Sequence, residues 1–229
     1  MRMLVSDYDN TFHIKDIDME ENVRKSNLFM KDDLFVIATG RNYNSYMEAK
    51  EQFNINTNYT IINHGATILK GDKVIYNHPI ENELKEEIIN LLHLEHTMKI
   101  NCYALTNEVS IEDKDITKIE LEYDDKDIAY EIFDLIKNKY KDKLKAYIFP
   151  TYNSLEIISR EVDKAYAVDY IDNIENPNQI YVIGDNHNDY LMIKNYNGSC
   201  THVAIDEVKQ ISKKEYQNVS NFIDEIMEI

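Results

Sequence analysis

Three short runs, Met3-Leu4-Val5, Leu34-Phe35-Val36-Ile37-Ala38 and Tyr59-Thr60-Ile61-Ile62, are almost wholly apolar and do not alternate with charged residues. A strand with one wet face would be apolar at every second position, so these runs imply strands covered on both faces. Stretches of helical spacing separate them, first through Met19, Val23 and Leu28, then across Asn44 to Phe53. Strand, helix, strand, helix, strand is the order a parallel sheet requires, because parallel neighbours need a crossover connection.

The pattern changes after the third run. Thr67 to Tyr76 reads as a hairpin around Gly71-Asp72. Leu84, Ile88, Leu91 and Leu92 place an amphipathic helix between Glu81 and Leu94, and Ile128, Ile132, Leu135 and Ile136 mark another. Met98 to Leu105 and Lys118 to Tyr123 alternate as half-buried strands do, and Leu144 to Phe149 adds a strand. This order suggests a small α+β layer on a one-sided antiparallel sheet, bracketed by Pro79 and Pro150. After a strand at Leu155 to Ile158 the parallel pattern resumes. It gives a helix over Asp163 to Ile174, a buried strand over Gln179 to Ile183, a helix from Asn188, a short strand near Val203 and a C-terminal helix. The expected fold class is therefore α/β. A Rossmann-like doubly wound parallel sheet core is formed by residues 1–78 and 152–229, with an α+β cap of residues 79–151 inserted.

Composition excludes several classes of partner. Lys plus Arg number 25 against 42 Asp plus Glu, a net charge of −17 with no basic stripe, which argues against nucleic acid. No segment approaches the roughly 20 apolar residues a membrane span needs, and the N-terminal apolar run is too short for a signal peptide. Cys102 and Cys200 match no metal spacing and are expected as reduced thiols in a cytoplasmic protein.

Ligands of open parallel sheets bind beyond the carboxyl ends of the strands, so the residues placed there matter most. Asp7-Tyr8-Asp9-Asn10-Thr11 follows the first strand, Thr39-Gly40-Arg41 the second, and Gly184-Asp185 with Asn188-Asp189 the last long one; Lys164 opens the helix before it. Asp7 and Asp185 would supply carboxylates to Mg²⁺, a hard cation that takes oxygen ligands. Asp7 would also be the nucleophile, dividing hydrolysis into attack and release by water. Lys164 and Mg²⁺ would offset the charge of a phosphate, with Thr39 and the adjoining Gly40 backbone donating hydrogen bonds. Asp9 would protonate the leaving oxygen and later activate water. Each motif alone has a plainer reading: Asp is common in turns, a lysine at a helix start is commonly solvated, and Asp185 could cap the following helix. Their order, each at a strand end, carries the catalytic reading.

In this arrangement the chain resembles the haloacid dehalogenase superfamily, and within it the Cof-like phosphatases with a type IIB cap. D-Y-D-N-T resembles the family's D-x-D-G-T, A-T-G-R its second motif, Lys164 its third and G-D-N-H-N-D its fourth; N-H-G-A at Asn63 to Ala66 resembles N-G-A. The resemblance implies a magnesium-dependent phosphatase with an aspartyl-phosphate on Asp7. Asp9 would act as acid/base and offer a backbone carbonyl to the metal, beside Asp185. Thr39, Gly40, Arg41, Lys164 and Asn188 would hold the phosphate, with Thr11 and Asp189 in support. It implies a small-molecule phosphoester substrate, such as a sugar phosphate or phosphorylated cofactor, and a cap whose inner face sets specificity. Two departures stand out: Asn10 replaces a glycine, and Val203-Ala204-Ile205-Asp206 lacks the family's Gly-Asn pair. Open alternatives are a phosphosugar mutase of the same fold, a receiver-like domain, or a non-catalytic phosphoester-binding protein. His64 and His187 stand at strand ends without an assigned role, His187 reading as a solvated loop residue. Oligomeric state is not encoded in any feature of the sequence.

Overall fold

The computed structural model describes residues 1–17 and 19–228. The chain runs through β1 (Arg2–Ser6), α1 (Met19–Phe29), β2 (Leu34–Ala38), α2 (Tyr43–Gln52), β3 (Tyr59–Ile62), β4 (Thr67–Lys70) and β5 (Lys73–Asn77). It continues through α3 (Asn82–Ile89), β6 (Thr97–Ala104), β7 (Asn107–Val109), β8 (Lys118–Tyr123), α4 (Lys126–Lys139), β9 (Leu144–Phe149) and β10 (Ser154–Ser159). It ends with α5 (Lys164–Glu175), β11 (Gln179–Gly184), α6 (Tyr190–Asn195), β12 (Ser199–Thr201), α7 (Asp206–Ile211), β13 (Glu215–Tyr216) and α8 (Val219–Met227). Two compact units result, one of Met1–Ile75 with Asp163–Ile229, the other of Tyr76–Val162.

The first unit is built on an eight-stranded sheet in the order β13-β12-β11-β1-β2-β3-β4-β5, parallel from β13 through β3. Leu4, Val5, Phe35, Val36, Ile37, Ile61 and Ile62 have no solvent exposure, as strands covered on both faces require. Each such side chain contributes about 1.5–3 kcal/mol by leaving water. From β1 the chain winds outward to β2 and β3, and from β11 outward to β12 and β13. The sense of winding therefore reverses between β1 and β11, the topological switch point where doubly wound sheets bind ligands. Asp7 and Asp185 immediately follow those two strands. The predicted hairpin after β3 is present, and its first arm extends this sheet by pairing antiparallel with β3.

The second unit is a five-stranded antiparallel sheet in the order β7-β6-β8-β10-β9. Leu84 and Ile88 of α3 and Ile132 and Ile136 of α4 form one core with Ile119, Leu121, Leu155 and Ile157 of the sheet. Helix α4 starts on the Asp125 side chain, which accepts from the Asp127 amide, and ends with Lys137 and Lys139 against its negative pole. The sequence boundary at residue 152 assigned β10 to the parallel core, and the structure corrects this. Leu155 pairs antiparallel with Leu121 on one side and Ile148 on the other, and Leu155 and Ile157 enter the second core. Glu156 between them is the residue that betrays the alternation of a half-covered strand. The final strands are also shorter and elsewhere than expected: Ser199–Thr201 and Glu215–Tyr216 pair where the sequence suggested one strand near Val203.

Candidate active site

The loop after β1 turns back sharply. Asn10 adopts φ 59°, the left-handed conformation expected where it replaces glycine, and the Phe12 amide donates to the Asp7 carbonyl at 3.1 Å. This places the Asp7 side chain, 5% exposed, at the switch point. The Asp163 side chain caps α5 by accepting from the Tyr166 amide at 2.8 Å, which fixes Lys164 as the first helical residue. Lys164 has no solvent exposure, and its ammonium donates to Asp7 Oδ1 at 2.5 Å and Asp189 Oδ1 at 2.7 Å. The positive pole of a helix is unfavourable for a cation, so these two carboxylates are what hold it there.

After β11, Asp189 closes the turn on itself. Its Oδ2 accepts from the amides of Asp185 (3.0 Å) and Asn186 (3.1 Å), while Asn186 caps the short turn from the other side. Asp185 does not cap this helix; its Oδ1 accepts from the Thr11 hydroxyl at 2.9 Å. Carboxylate oxygens of Asp7, Asp185 and Asp189 lie within 4.8 Å of one another, and all three residues are buried.

Three buried carboxylates facing one ammonium leave an excess of negative charge. Burial pushes the Asp7 carboxyl well above its usual range, Lys164 opposing and the Asp189 and Asp185 charges adding to the shift. Burial, with the Asp189 charge, pushes Asp185 up to about 7. Burial pulls Lys164 down, but the Asp189 and Asp7 charges more than offset this and raise it. Without a metal, both carboxyls therefore hold a proton more readily than free ones, and Lys164 is the cation. An all-oxygen donor set with uncompensated charge fits a hard divalent cation, and Asp7 and Asp185 are the residues with oxygens to give. Both oxygens of Asp189 are already engaged by Lys164 and backbone amides.

The remaining residues form two further groups. Arg41 grips both oxygens of Asp9, Nε to Oδ2 at 2.8 Å and a terminal nitrogen to Oδ1 at 2.7 Å, and lies 4.8 Å over the Tyr8 ring. Thr39 Oγ1 accepts from the Arg41 amide at 3.1 Å. Asn188 Nδ2 meets His64 Nδ1 at 3.2 Å. His64 is 1% exposed and packs on Gly40, so it is a built part of the site that sequence reasoning left without a role. The available signal was its position directly after β3, opposite a glycine in the loop after β2. His187 is a solvated loop residue as expected, 64% exposed and 3.0 Å from Glu207. The structure thus gathers Asp7, Thr11, Lys164, Asp185 and Asp189 into one cluster, pairs Asp9 with Arg41, and links Asn188 to the Gly40 loop through His64.

Comparison with known proteins agrees with the fold. Residues 1–223 match the family model of sucrose-6F-phosphate phosphohydrolase. The chain belongs to this family within the haloacid dehalogenase superfamily, and is a phosphoric monoester hydrolase. It is 26% identical over 246 residues to a protein of Buchnera aphidicola described as "Putative phosphatase", covering 95% of this chain and 91% of that one. Among solved structures, TM0651 from Thermotoga maritima shares the fold at TM-score 0.80 with 23% identity over 98% of this chain and 97% of that one. A HAD subclass IIB sugar phosphatase does so at TM-score 0.77 with 17% identity, over 100% of both chains. No helix among the described residues is long and apolar enough to cross a membrane.

Proposed function

We propose that this chain is a Mg²⁺-dependent phosphatase of small phosphomonoesters, sugar phosphates or phosphorylated cofactors, working through an aspartyl-phosphate on Asp7. The observation that carries the reading is Lys164, wholly buried between Asp7 and Asp189 with Asp185 beside them at the switch point. A buried ionic cluster of this kind meets no structural need that well-packed apolar residues replacing the whole set would not meet as well. Bound at Asp7, Asp185 and the Asp9 backbone carbonyl, Mg²⁺ would supply charge that draws in the phosphate dianion and polarises its oxygens.

The chain's own groups do the rest. Asp7 attacks phosphorus with its carboxylate oxygen, and the bond from phosphorus to the leaving oxygen breaks. Lys164 holds Asp7 in position and shields it from the incoming anion. Asp9, freed from Arg41 and protonated from solvent, gives that proton to the leaving oxygen, then takes one from the water that cleaves the aspartyl-phosphate, returning Asp7 and free phosphate. Because Arg41 grips both Asp9 oxygens, one must be released before Asp9 reaches the leaving group. Thr39, the Gly40 backbone, Arg41 and Asn188 bind the phosphate, and Thr11 and Asp189 orient Asp185 and Lys164.

Phosphate release from p-nitrophenyl phosphate, with and without Mg²⁺, tests the reading in wild type and Asp7→Asn. The expected result is Mg²⁺-dependent turnover that disappears in the variant. A folded wild type that turns over no phosphoester in a broad panel would sink it. Product analysis with a hexose bisphosphate activator distinguishes hydrolysis from phosphate transfer within a sugar.

A further inference from the structure

The turn after β3 ties together the loops that carry the proposed phosphate ligands. Asn63, His64 and Gly65 adopt φ of 50°, 58° and 105°, a run of left-handed backbone in which two members are not glycine. The Asn63 amide donates to the Arg41 carbonyl at 2.9 Å, and the His64 amide donates to the Thr39 carbonyl at 3.1 Å. Gly65 faces the start of the Lys164 helix so closely that a Cβ there would stand 2.1 Å from the Asp163 carbonyl oxygen. The His64 ring occupies the space a side chain at Gly40 would need, Cε1 lying 2.3 Å from the Cβ position. An amide NH₂ can only donate, so at 3.2 Å His64 Nδ1 is the acceptor for Asn188 Nδ2.

We infer that His64 is a positioning residue for phosphate binding, its Nδ1 fixing the Asn188 amide. The inference rests on the phosphatase reading. It assigns His64 no contact with substrate, which suits a ring with 1% exposure. With Nδ1 taking one amide hydrogen, the other hydrogen of Asn188 Nδ2 has a fixed direction, and a freely turning amide would lose that aim. Preorganised donors of this kind bind an anion without first having to reorient.

Two substitutions separate the acceptor from the backbone requirement. His64→Asn tolerates left-handed backbone and keeps an acceptor one bond from Cγ, where Nδ1 stands; His64→Gly tolerates the backbone and has no acceptor. His64→Gly is expected to raise both KM for p-nitrophenyl phosphate and the inhibition constant of inorganic phosphate about tenfold, the worth of one lost hydrogen bond, with kcat changed far less. His64→Asn should recover most of that affinity. In an Asn188→Ala background, replacing His64 by glycine or asparagine should give the same constants, because the partner is gone. Equal constants for wild type and His64→Gly, failure of asparagine to rescue, or a full His64→Gly effect without Asn188 would each overturn the assignment. Asp7→Asn, measured in parallel, keeps the two levels apart. If wild type turns over no phosphoester, the phosphatase reading falls and this inference with it; if wild type is active, Asp7→Asn is inert and His64→Gly matches wild type, only the role of His64 falls.

Discussion

Asp185 should destabilise the metal-free protein, and Asp185→Asn should relieve it. Asp185 is 4% exposed, and burial beside Asp189 carries its carboxyl from an ordinary 3.8 to about 7. That is roughly three units, and at about 1.4 kcal/mol each the ceiling is ~4 kcal/mol. Sharing the proton with Asp7 and relaxation of the site reduce this to ~2 kcal/mol, or about 4–8 °C in melting temperature for a chain of this size. Below about pH 4 the carboxyl is protonated in both folded and unfolded chains, so wild type and variant should melt together. As pH rises to about 7 the unfolded chain ionises while the folded one holds its proton, so the advantage of asparagine grows, then levels off. Asparagine keeps an acceptor for the Thr11 hydroxyl at 2.9 Å, so the substitution removes charge and little else. Thermal melts of chelator-treated protein across this range provide the assay. Saturating Mg²⁺ should reverse the ranking, since wild type then gains ~2.7 kcal/mol at a hundredfold excess over Kd. A variant that melts no higher than wild type at about pH 8 without metal would refute the reasoning.

Two other perturbations address different parts of the site. Lys164→Met leaves Asp7 and Asp189 without their buried cation and should abolish turnover; breaking such a pair costs about 3–5 kcal/mol, visible as a lower denaturant midpoint. Asp9→Asn should lower kcat by about 10²–10⁴ while leaving Mg²⁺ affinity in titration calorimetry nearly unchanged, because the Asp9 carboxylate pairs with Arg41 and the carboxylates that could hold the metal lie elsewhere.

What the sequence revealed, and what it concealed, follows from the range over which each feature is determined. β1, β2 and β3 were legible because burial on both faces forces unbroken apolar runs, and their ends then located Asp7 and Thr39. Asn10 was legible because few residues accept its backbone angle. β10 was misplaced because Leu155 to Ile158 is apolar but for Glu156, a single residue carrying the alternation, and its pairing with Leu121, distant in sequence, is what places it in the antiparallel sheet. β12 and β13 span three and two residues, too short for any period to register. Within the site, residue types announced Asp7, Lys164 and Asp185, but the engagement of Asp189 depends on where two backbone amides point. His64 was hidden for the same reason: its partners, Gly40 and Asn188, come from loops 24 and 124 residues away.

The five glycines bear on how far this chain could drift in sequence and still work. A methyl group at Gly71 would meet nothing within 4 Å. At Gly40, Gly65 and Gly184 it would stand 2.3, 2.1 and 2.5 Å from His64, the Asp163 carbonyl and Asp189 respectively. Alanine, the mildest of substitutions elsewhere, is thus obstructed at three points around the candidate site by bulk alone, before any chemistry is considered. Any redesign of this protein must treat these three empty places as fixed parts of the machine.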